Sequence, residues 1–147
     1  MQSILQRFIP ALAALAALAG PAGPAQAHEY YAEGLTFIHP WAEATDPGAT
    51  DAPVYFKLDN VSRNDRLLSA TTQLAERVEL RGGPDLAAPP LAGIEIAPAD
   101  RLLFEPGHPH LLLRGLVTPL QWGRSYDMRV VFEKAGALDV QISIGAH

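Results

Sequence analysis

From residue 35 onward, hydrophobic positions recur at every second residue, in runs too short for helices. Leu35, Phe37, His39 and Trp41 alternate with Thr36 and Ile38. Val54-Tyr55-Phe56-Lys57-Leu58 repeats the pattern and stops at Asp59-Asn60. Arg77-Val78-Glu79-Leu80 stops at Gly82-Gly83-Pro84, and Ile94-Glu95-Ile96 stops at Pro98. Leu102-Leu103-Phe104 precedes Pro106-Gly107, and His110 to Leu113 ends near Gly115. Met128 to Glu133 and Leu138 to Ile144 close the series across Lys134-Ala135-Gly136. No amphipathic helix of normal length, internal repeat or low-complexity tract interrupts them. Short period-two runs broken by Gly, Pro and Asp predict one all-β domain, an antiparallel sandwich or barrel. Val54, Phe56, Leu58, Val130 and Phe132 are its expected core. Met128, placed within a strand, is expected to join them.

The first 27 residues follow another pattern. Arg7 is followed by an apolar Ala- and Leu-rich run from Phe8 to Ala19, and Gly20, Pro21, Gly23 and Pro24 then break the run. Ala25-Gln26-Ala27 is a small-x-small cleavage site. This reads as a cleavable signal peptide over 1–27, too short for a spanning helix with normal flanks. A mature, exported, soluble domain over 28–147 follows, long enough for one core. Cleavage after Ala27 makes His28 the first residue. A free N-terminal histidine offers a metal its α-amino group and its ring together, and a second histidine completes a histidine brace. Cleavage after Ala25 is the rival, and it would leave Gln26-Ala27 in front of the histidine.

Composition narrows the chemistry. The chain has no cysteine, so no disulfide can staple it and no thiolate can hold zinc or build a blue-copper site. Its formal net charge is −5 and no basic run is present, which argues against nucleic acid and anionic membranes as partners. No nucleophile elbow or similar motif sets a serine beside a histidine.

His39-Pro40-Trp41-Ala42-Glu43-Ala44-Thr45, followed by Pro47-Gly48-Ala49, resembles the opening strand and loop of the periplasmic copper chaperones called the PCuAC family. The resemblance continues through Tyr55 to Asn60, Asp65 to Ala70 and Arg77 to Leu80. It resumes at Phe104-Glu105-Pro106-Gly107 and His110 to Leu116, and closes with Val131 to Gly136. It implies a cupredoxin-like β-barrel, a periplasmic location and a role in copper handling. Such proteins hold Cu(I) with two His-x-Met pairs. Here Arg81 stands at the first histidine, Gly83 at its methionine and Leu112 at the second methionine, so only His110 remains. The Met-bearing hairpin between the pairs is shortened to the Ala87-Ala88-Pro89-Pro90 loop. Thioethers are the soft donors that favour Cu(I), so the family's Cu(I) site is not expected.

All five histidines, His28, His39, His108, His110 and His147, follow the leader. Imidazole suits Cu(II), and a terminal amine with a pKa of roughly 7.7–8.0 yields its proton to copper near neutral pH. His28 begins the brace; the plain alternative is a frayed, idle terminus. His39 is a ligand if the short segment from Glu29 to Ile38 folds His28 back to it, or else packs beside Trp41. His110 inherits a ligand position from the resemblance. His108 lies on the face of 110 and 112 if the chain is extended there, or in an exposed turn after Pro106-Gly107, which is the preferred reading. His147 is expected to be disordered. Arg81 is expected to be a solvated loop arginine; its alternative is a fixed cation that disfavours metal nearby and drives it to the N-terminus.

The expected function is a periplasmic copper-binding protein, a chaperone, buffer or delivery factor rather than an enzyme. It would take Cu(II) in preference to Cu(I) and serve a periplasmic copper enzyme or carrier. Two alternatives stand beside it: a brace-type copper oxidative enzyme, as in lytic polysaccharide monooxygenases, and a metal-free interaction module on the same barrel. A shared brace does not transfer a reaction, and neither a clear aromatic platform for polysaccharide nor an obvious reductant site is present.

Overall fold

The computed structural model describes residues 28–145. The leader, with its cleavage site, and His147 lie outside them. Ten strands make up the regular structure: β1 (Glu29–Ala32), β2 (Leu35–Ala42), β3 (Asp51–Val61), β4 (Asp65–Thr71), β5 (Ala75–Arg81), β6 (Ile94–Ile96), β7 (Ala99–Phe104), β8 (His110–Leu116), β9 (Ser125–Phe132) and β10 (Gly136–Ile144). They form one continuous path, β5-β8-β3-β2-β10-β9-β4-β6, with β1 added to β2 and β7 added to β3. β4 also packs against β5, so the path curls into the expected barrel-like sandwich. Among the described residues no helix is long and apolar enough to cross a membrane.

The alternation in β3 explains how the layers join. Val54, Phe56 and Leu58 point inward, while Tyr55, Lys57 and Asp59 point away. The start of β3 pairs antiparallel with β8, and its later part pairs with β7. One strand thereby belongs to both sides of the sandwich. All five expected core residues are at most 1% exposed, and Met128 joins them. Phe37, Phe56 and Phe104 stack in series, with ring centroids 4.5 and 4.4 Å apart, and Phe132 meets Phe37 edge-on at 6.3 Å. Each such pair adds about 0.5–1.5 kcal/mol beyond the area it buries.

Two strands escaped the pattern. In β4 the apolar positions are few, and a bulge between Leu67 and Ser69 breaks the period. Its first residue, Asp65, is buried and accepts hydrogen bonds from the amides of Arg66, Lys134 and Ala135. It thus anchors the β9–β10 turn. β1 is only four residues long, and it exists because Glu33-Gly34 turns the chain back onto β2, with Gly34 at φ +86°. The sheet is otherwise antiparallel, but Ser143 and Ile144 of β10 run parallel to Trp41 and Ala42 of β2. That short contact brings the last strand close to His28, whose ring lies beside Ser143.

Candidate metal centre

The β1–β2 hairpin sets up the first group of side chains. Its register pairs Glu29 with Ile38, so the residue before β1, His28, falls opposite His39. The His39 amide donates to the His28 carbonyl. The two rings meet edge-on, with centroids 4.9 Å apart. His39 has φ +48° inside a β-bulge between Ile38 and Trp41. A left-handed conformation costs a non-glycine residue about 1–2 kcal/mol, and a bulge is a common way to re-aim a side chain. On the other side of His28, the Ser143 hydroxyl lies 3.3 Å from Nδ1. The fold-back considered from the sequence is therefore present, and Trp41 stacks obliquely on Tyr55 at 5.1 Å.

A second group lies on β5 and β8. Arg81 pairs with His110, Glu79 with Leu112 and Arg77 with Arg114, and cross-strand partners share a face. Leu111 and Leu113 enter the hydrophobic core, so His110 and Leu112 face the other way. Arg81 is not the solvated loop residue expected. It ends a strand and is 3% exposed. Its Nη2 donates to the carbonyls of Asp85 (2.8 Å) and Ala88 (2.7 Å), and Nη1 donates to Glu79 (3.3 Å). Glu79 also meets Arg77 at 3.2 Å and Arg114 at 3.5 Å, while Arg114 pairs with Asp51 at 2.9 Å.

His110 is buried beneath this lattice, its ring 5.5 Å from that of Tyr55. Its Nδ1 lies 2.9 Å from the His108 carbonyl. A carbonyl only accepts, so the ring donates from Nδ1 in this contact, which leaves Nε2 as the other ring nitrogen. Burial, and then the charge of Glu43, raise the Tyr55 phenol above its ordinary value. His108 itself is exposed in the turn whose amide bonds the Glu105 carbonyl at 2.8 Å, as preferred from the sequence. The extended arrangement of 108, 110 and 112 does not form, because β8 begins at His110.

The structure thus brings His28 and His39 together and sets His110 beside Arg81. Among the described residues, no three or more of His, Cys, Asp and Glu gather as a metal-ion cluster. A brace requires only two histidine side chains, since its third donor is the terminal amine. A cleft of about 940 Å³ lies elsewhere, over Thr71, Ser125, Asp127, Arg129 and Gln141. It is open and contains no histidine.

A family model described as "Putative lipoprotein LpqE-like" matches residues 35–144. The apo PCuAC domain from PmoF2 is similar over 81% of this chain and 95% of its own, at 30% identity and a TM-score of 0.69. The chain belongs to the PCuAC family. The copper-bound PCuAC domain from PmoF2 has 29% identity and a TM-score of 0.71, covering 82% of this chain and 99% of that one. Cu(I)-bound DR1885 from Deinococcus radiodurans shares the fold, at 22% identity and a TM-score of 0.61, with 72% of this chain and 74% of that one covered. Compared by sequence with curated proteins, the chain has no match. The family match includes His39, Arg81 and His110, and it begins after His28. Sequence reasoning anticipated the approach of His28 to His39 but missed the burial of Arg81. A signal was available in its place on the β5 pattern, two residues after Glu79.

Proposed function

We propose that this PCuAC protein is an exported copper carrier that binds Cu(II) through a histidine brace. In this reading, cleavage after Ala27 frees the His28 amine. Copper, the cargo, is then held by that amine, the His28 ring and the His39 ring. A copper-bound relative of the same fold supports copper as the ion, and the lipoprotein description of the matched family supports export. The observation that carries the brace is the hairpin register that lays His28 edge-on to His39 at 4.9 Å. Nitrogen donors without thioethers suit Cu(II) better than Cu(I). His108, exposed in its turn, and His110, on the β5–β8 face, stand outside this set.

Binding and delivery, rather than catalysis, are the proposed role, with a periplasmic copper enzyme or carrier as the partner. Intact-mass measurement of the exported protein followed by copper titration tests the reading. A chain beginning at His28 that takes up one Cu(II) with a nitrogen-rich type 2 electron paramagnetic resonance (EPR) spectrum is expected. A mass showing a chain that begins at Gln26, or no uptake of copper, overturns it.

A further inference from the structure

Arg81 is a buried cation that the proposed brace does not use. It lies directly across from a buried histidine on a shared sheet face. Three fixed partners hold it, two of them carbonyls of the loop that follows β5. Glu79 does not make the surroundings neutral, because Arg77 and Arg114 also draw on it. His110 meanwhile directs Nδ1 at the His108 carbonyl, which leaves Nε2 as the nitrogen that could meet a metal. Without the charge, this face would offer a pre-oriented, buried imidazole to copper. Two thioether positions of the family's Cu(I) site, Gly83 and Leu112, are also without sulfur, so the residues present do not fit that site.

We infer that Arg81 is a specificity-determining residue: its fixed charge keeps copper off His110 and confines the protein to one copper, at the His28 end. The confinement to His28 rests on the brace reading; the exclusion from His110 does not. Arg81 and His110 are paired across the β5–β8 ladder and both are buried. A fixed positive charge disfavours a second cation more strongly in such a partly desolvated setting, since Coulomb energy scales inversely with the local dielectric. The guanidinium also joins the loop at Asp85 and Ala88 to the end of β5.

The test follows the His110 ring by nitrogen–proton NMR during anaerobic Cu(I) titration of the protein beginning at His28. Cu(I) is diamagnetic, so a shift reports binding at the ring. Native protein is expected to show no His110 shift through two equivalents. Arg81→Met, neutral and carrying a thioether, should show a saturable His110 shift with affinity at least about 10-fold above native. Arg81→Lys, which keeps the charge, should behave as native. Should Arg81→Met not fold, Arg81→Gln retains a donor for the loop carbonyls without the charge and should shift in the same direction. A His110 shift in native protein, a shift with Arg81→Lys, or a folded neutral variant with no shift each overturns the inference. An N-terminally extended protein that keeps its Cu(II) affinity would overturn the brace and leave the Arg81 result standing.

Discussion

The two histidine-bearing faces of this barrel are built by opposite means. At the β1–β2 end, a two-residue turn and a left-handed bulge bring together two imidazoles that are eleven positions apart in sequence. At the β5–β8 end, regular pairing sets one imidazole against a guanidinium already bound to its own loop. The first arrangement spends backbone strain on holding two imidazoles close. The second holds a structural cross-link from Arg81 to its loop. In the proposed reading, copper takes its donors from the first group and none from the second.

The largest effect that could break this contrast is at His39. His39→Gly relieves the φ of +48° while removing the imidazole. Stability should be unchanged or up to about 1 kcal/mol higher by chemical denaturation. Cu(II) affinity should fall by more than about 100-fold, beyond the roughly 10–100-fold of an outer-shell change. Loss of stability without loss of copper would mean that the bulge serves folding and not the metal.

Asp65 supplies a control away from both groups of histidines. Burial alone would raise its pKa, but the amides of Lys134, Arg66 and Ala135, helped by Arg63, outweigh burial and hold it below the ordinary 3.8. A carboxyl depressed in the folded state stabilises fully above its unfolded value and loses that contribution as pH falls through its folded one. Asp65→Asn should cost about 2 kcal/mol at neutral pH and flatten the acid limb of stability below pH 3.8. Cu(II) affinity should stay within a factor of about 2, since the charge is lost far from the donors. Coupled loss of copper binding would show that the two regions are not independent.

The smallest expected change concerns Leu112, on the face of His110. Leu112→Met conserves volume, so its stability cost should be below about 1.5 kcal/mol. With Arg81 in place, anaerobic chelator competition should show less than about a 10-fold gain in Cu(I) affinity. A larger gain would place the barrier to Cu(I) in the missing sulfur alone and not in the charge.

What could be read in the sequence follows from how local each feature is. The alternation of Val54, Phe56 and Leu58, or of Val130 and Phe132, records its own burial, so the core was legible. So was the opportunity for His28 to return to His39, because a short segment with Gly34 can turn back. β1 was missed as a strand because its four residues, Glu29 to Ala32, are too few to display a period. β4 was missed because its bulge breaks that period. Arg81 was misread because an arginine's burial depends on carbonyls that only the folded loop presents. The parallel contact of Ser143 with Trp41 joins opposite ends of the domain and leaves no mark in either segment.

The central claim is that copper is held by the terminal amine of His28 together with two rings. Its most direct test compares Cu(II) affinity and EPR spectra of protein beginning at His28 with those of protein carrying one added residue before it. The added residue keeps both imidazoles and the barrel but removes the amine–imidazole chelate. The account predicts a loss of affinity well beyond 100-fold, above the roughly 10–100-fold of an outer-shell change, and a changed, less nitrogen-rich type 2 spectrum. Equal affinity and an identical spectrum in the two proteins would contradict it.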